Sequence, residues 1–191
     1  MIYLNFALAI LTFISAINEM PPASEDKTRA CEVSLSFAKD FVKSQNGKVI
    51  FHSWEGLSES QVSTVEKYDW GITPYGISSG SEKPTQKLIR RFHKQRGLSA
   101  IEECPSLKSY LAESGIASGL DAIVKATNDS SKSDFLVLSV ALPAVSDDGK
   151  VAILTNGQTG VHGGGGGWIT ALSLDKDGHW EVTYVAPTWI A

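Results

Sequence analysis

The residues with the most chemical promise fall in one stretch, NGQTGVHGGGGGW (156–168), which holds seven of the chain's 17 glycines. Glycine gives the backbone access to positive φ and a close approach to a ligand, at a high entropic cost on folding. A run of five, Gly163 to Gly167, flanked by His162 and Trp168, reads as a loop able to aim successive N–H groups at an anion or an oxyanion. The order His162-Gly163-Gly164-Gly165 also has the form of a lipase-type oxyanion hole. The plainer expectation is a flexible hairpin loop, in which alanine is mild where the native φ is negative and costly where it is positive. His162, Gly163, Gly164, Gly165 and Trp168 are therefore the candidate binding residues, and no catalytic residue is assigned.

Two other constellations compete with this loop. Gly76-Ile77-Ser78-Ser79-Gly80 matches G-x-S-x-G, with Ser78 as nucleophile and His162 or His179 as bases. A nucleophile elbow sits between a buried strand and a helix, whereas the preceding YDWGITPY is turn-like, so the context is wrong. The stretch QKLIRRFHKQR (86–96) places Leu88, Ile89 and Phe92 on one helical face and Lys87, Arg90, Arg91 and Lys94 on another. Such a face can meet an anionic partner, but a solvated surface is its more ordinary use. The whole chain has 17 basic and 21 acidic residues and a net charge of −4, which gives no field for gathering polyanions. Nucleic acid is not an expected partner, and a small molecule or another protein is.

Cys31 and Cys104 are the chain's two cysteines, and His52, His93, His162 and His179 are scattered without ligand spacing. No metal site or other cofactor is expected. The charge-free stretch MIYLNFALAILTFISA (1–16) has the features of a secretory signal peptide, with Ile14-Ser15-Ala16 as a cleavage site. An oxidising compartment lets Cys31 and Cys104 pair. A secreted or periplasmic location follows, without membrane attachment once residues 1–16 are removed. Residues 17–27 form a flexible mature N-terminus, and residues 28–191 form a single domain.

These residues must be positioned by a limited set of elements. Ala30, Val33, Phe37, Ala38, Phe41 and Val42 make a helical stripe over 28–45, stopped by Asn46-Gly47. KVIFHSW (48–54) reads as a strand; the Gly- and Pro-rich stretch 55–85 reads as irregular, with a short helix at 59–66. Helices are expected at 86–96, 106–114 and 120–127. Strands are expected at 135–142, continuous in apolar character and so covered on both faces, and at 150–155, 168–174 and 179–185. Ser146-Asp147-Asp148-Gly149 and Asp175-Lys176-Asp177-Gly178 supply tight turns, and the loop spans 156–167. Helices covering one face of a C-terminal antiparallel β-meander give an α+β fold.

The run LSVALPAVSDDGKVAIL, the glycine-dense loop after it, an aromatic-led strand and DGHWEV together resemble the C-terminal half of uncharacterised secreted bacterial proteins. That resemblance covers roughly residues 135–185 and implies a meander and export, but no activity. Related loops often carry cysteines where this one carries His162. Function is accordingly read as a binding or interaction module, with a hydrolase using the glycine loop as its anion or oxyanion site as the alternative.

Overall fold

The structure, a computed structural model, describes residues 23–56 and 84–190. Residues 1–16, the short helix expected at 59–66 and the Ser78 motif lie outside the described residues. Helix α1 spans Ala23–Ser44, with Glu25 and Asp26 in its first turn, where carboxylates meet the positive end of the helix dipole. It ends where Asn46 and Gly47 both take positive φ, and the Gly47 N–H donates back to the Val42 carbonyl at 2.9 Å. The apolar stripe buries Ala30, Val33, Phe37 and Ala38.

Strand β1 (Val49–His52) follows directly. Helix α2 (Gln86–Gln95) is capped by Thr85, whose hydroxyl accepts from the Leu88 N–H at 3.2 Å. A four-residue helix α3 (Ala100–Glu103), absent from the sequence expectation, leads into α4 (Pro105–Glu113), with Pro105 in its first turn. Helix α5 (Leu120–Thr127) and a 3₁₀ turn (Ser130–Lys132) precede the main strands. These are β2 (Leu136–Val140), β3 (Ala144–Val145), β4 (Val151–Gly160), β5 (Gly165–Leu174) and β6 (Trp180–Ile190).

The sheet order is β1-β2-β4-β5-β6, with β3 beside β4 where β2 has ended. The β4–β5–β6 meander is antiparallel as expected, and the fold is α+β. Strand β1 joins parallel to β2, which makes the sheet mixed.

Two expectations are corrected. Residues 156–167 are not one loop: β4 runs on to Gly160 and β5 starts at Gly165, so the turn is only 161–164. Cross-strand packing of Ile153 on Ala171 and Thr155 on Ile169 holds the register, and the glycines extend the ladder it starts. Helices also cover both faces rather than one. Ala152 and Leu154 of β4 pack with α1 and α4 residues, including Val33, Phe37, Leu107 and Leu111. Ile153, on the opposite face, packs with Leu88 and Phe92 of α2. On that second face Ile50 and Val137 meet Ala126 of α5. The both-face cover expected for 135–142 is thereby met, since Leu138 faces one cluster and Val137 the other.

Candidate functional site

On the second sheet face, strand register brings together residues far apart in the chain. His52 pairs with Ser139 across β1 and β2, and Ser139 pairs with Gly157 across β2 and β4. Partners directly opposite one another share a face, so His52, Ser139 and Gly157 form a row. One step along, Ile50, Val137 and Thr159 form the next. An open groove of about 300 Å³ lies over these rows, with His52, Ser139, Thr159 and Gly157 in its lining and Trp54 and Glu55 at its side. That volume is at the small end of the ~300–1,000 Å³ usual for ligand sites.

Trp54 is held rigidly. Its backbone N–H donates to Ser99 Oγ at 2.9 Å and its indole Nε1–H to the Arg96 carbonyl at 2.7 Å, with the side chain largely buried. The ring reaches over Gly157, where an added Cβ would stand 3.5 Å from Trp54 Cζ3 and 3.0 Å from Ser139 Oγ. A side chain at 157 would therefore be crowded by Ser139, whereas the backbone there has no positive φ that would favour glycine. His52 is half-buried, and its Nδ1 is shut off from solvent without a hydrogen-bond partner. A buried, unpaired polar atom costs about 1–3 kcal/mol, which marks the position as one that packing alone does not explain.

The residues singled out from sequence are placed elsewhere. His162 is exposed in the turn, beside Gly163 and Gly164 at φ +100° and +72°. The turn closes on itself: the Gly160 N–H donates to the Gly164 carbonyl at 2.9 Å and the Gly163 N–H to the Gly160 carbonyl at 3.0 Å. Gly165, Gly166 and Gly167 pair with Thr159, Gln158 and Gly157 as strand residues. Trp168 lies further along β5, opposite Asn156, and so does not stand at the edge of the turn with His162. Trp180 packs against the α1 cluster while Tyr184 is buried against α2, on the opposite face of the sheet.

On the basic face of α2, Lys87 and Arg91 bind Asp147 at 2.5 and 2.8 Å. The Lys87 hydrogen bond, reinforced by the charges of Lys87 and Arg91, holds the Asp147 carboxyl below the usual carboxylate range. Cys31 and Cys104 form a disulfide with a Cα–Cα distance of 5.2 Å, joining α1 to the start of α4 as expected. Among the described residues no group of three or more His, Cys, Asp or Glu is placed to hold a metal ion. No described helix is long and apolar enough to cross a membrane.

The groove was missed in the sequence because its members come from three strands whose neighbours are set by register. Two local signals existed: Ser139 is a polar residue inside an apolar strand, and His52 and Trp54 alternate at the end of another. No family profile matches the chain, and no curated protein or solved structure is significantly similar to it. The groove is thus interpreted from its own chemistry.

Proposed function

We propose that the protein is an exported binding module that holds a small ligand in the groove between Trp54 and the Ile50–Val137 row. The observation that carries this reading is an open cavity with His52, Ser139 and Thr159 in its lining, where an imidazole and two hydroxyls can donate and accept hydrogen bonds. The Cys31–Cys104 bridge supports export, because such bonds persist in oxidising compartments.

The test is a fragment screen by NMR on the disulfide-bonded protein, read at the imidazole C–H signals of its four histidines and assigned with His52→Ala. Hits that move the His52 signals saturably support the reading. Hits that move only His162, in the glycine turn, would transfer the site to that turn and sink the groove.

A further inference from the structure

We infer that Asn46 is a site of spontaneous covalent modification, at which the chain rearranges through a succinimide to aspartate and isoaspartate. Two asparagines precede a glycine, in Asn46-Gly47 and Asn156-Gly157, and by sequence the two pairs are equivalent. In each, the backbone nitrogen of the glycine can attack Cγ of the preceding carboxamide, because glycine has no Cβ to shield it. A C–N bond forms, and the carboxamide nitrogen leaves as ammonia with the proton of the glycine N–H. Water then opens the ring at one of its carbonyls. Opening at the former side-chain carbonyl gives aspartate, and opening at the main-chain carbonyl gives isoaspartate, whose main chain runs through Cβ and Cγ.

The fold separates the two pairs. Asn156 is 1% exposed, and its Oδ1 accepts from Thr170 Oγ1 at 3.1 Å. Strand β4 is paired on both sides there, with Asn156 between Val140 of β2 and Trp168 of β5, and Gly157 between Ser139 and Gly167. The Asn156 carboxamide reaches the Gly157 nitrogen only when the middle of the sheet opens. Asn46, Gly47 and Lys48 are all exposed, just past the end of α1. The backbone bonds holding the pair are the last of that helix, from the Asn46 N–H to the Lys43 carbonyl at 3.2 Å and from the Gly47 N–H to the Val42 carbonyl at 2.9 Å. Helix ends fray at little cost, whereas a central strand opens only with the whole fold. The same reaction is therefore open to one Asn-Gly pair and closed to the other.

The product bears on the junction between α1 and β1. Asn46 is the one non-glycine residue with positive φ among the described residues, at +52°, a conformation that asparagine tolerates better than most side chains. Either product places a carboxylate at the negative end of the α1 dipole. Isoaspartate also lengthens the main chain between the Gly47 N–H and the Val42 carbonyl it bonds, immediately before β1 begins at Val49.

The experiment incubates the full, disulfide-bonded chain at mildly alkaline pH in water enriched in heavy oxygen, and follows it by charge-variant chromatography and peptide mapping. Solvent oxygen should enter the peptide holding Asn46 at least about a hundredfold faster than the peptide holding Asn156, because local fraying and global opening differ by that much or more. An acidic species should appear at the same rate. In urea with the bridge reduced, where neither pair is held, the two peptides should react at similar rates. Asn46→Gly, which suits the positive φ and removes the carboxamide, should abolish the acidic species. The isolated isoaspartate form should melt about 2–4 °C below the parent, the scale of one lost hydrogen bond in a chain of this size.

Equal rates at the two pairs in the folded chain would overturn the inference. So would reaction at both pairs in urea with none at Asn46 in the folded chain, which would mean that the end of α1 stays closed. An acidic species that forms in Asn46→Gly at the wild-type rate would place the reaction at another residue and overturn it equally. An isoaspartate form that melts with the parent would overturn the link between this residue and the α1–β1 junction.

Discussion

Two neighbouring glycines separate the two reasons for using that residue. Gly164 has φ +72° with open space where a Cβ would be, so alanine there meets only backbone strain, about 1 kcal/mol. Gly165 has no positive φ, but a Cβ on it would stand 2.2 Å from the Gln158 carbonyl oxygen and 2.9 Å from Thr159 Cα. Those are backbone atoms of the paired strand and cannot rotate away. Gly165→Ala should therefore cost about 2–3 kcal/mol, as overpacking does, and melt well below Gly164→Ala. This reverses the order that φ alone suggests, and equal melting temperatures would show that the hairpin shifts freely. Gly157→Ala should fall between them, because the atoms it meets, Ser139 Oγ and the Trp54 ring, belong to side chains.

At the level of elements, the Cys31–Cys104 bridge ties the long N-terminal helix to the start of α4, both on the same face of the sheet. Closing a 73-residue separation restricts the unfolded chain, worth on the order of 4 kcal/mol in the entropic account. Replacing both cysteines by alanine should lower the denaturation midpoint in urea by a matching amount, with the folded sheet retained. A midpoint equal to wild type would mean that the unfolded chain gains no freedom from the loss. This bridge, the α1 stripe and the Asp-Gly turns were legible in the sequence, since each rests on local chemistry or on a pair with no competitors. The glycine run was not, because glycine is disfavoured in strands and only pairing with an already registered β4 makes it extend. The parallel seating of β1 on β2, and with it the His52–Ser139 row, depends on a crossover that no local pattern encodes.

Across the whole molecule, one ion cluster connects the two helical layers around the β3 edge of the sheet. Arg91 of α2 binds Asp147 at 2.8 Å and lies 3.7 Å from Asp26 of α1, while Lys87 of α2 binds Asp147 and Arg29 of α1 reaches the Asp147 carbonyl at 3.4 Å. Because α1 and α2 pack on opposite faces, Asp147 in the β3–β4 turn is where the layers are joined electrostatically. Its folded-state pKa lies below the ordinary 3.8, so the folded state holds its proton less tightly than the unfolded state does. The cluster's stabilisation is therefore complete above pH 3.8 and is lost as pH falls through the lowered folded-state value. Asp148, held down by Ser146, and Asp134, held down by Lys48, add to the same acid limb with the same sign. Asp147→Asn should lower the melting temperature slightly at neutral pH, since the pairs are largely solvent-exposed, and the gap should narrow with added salt. The gap should then close on acidification, as wild-type Asp147 takes up the proton that makes it equivalent to the variant. Thermal melts of both proteins, taken from neutral pH down through the carboxylate range, measure this directly. A gap that persists undiminished in acid would show that Asp147 acts through the shape of the turn and not through its charge.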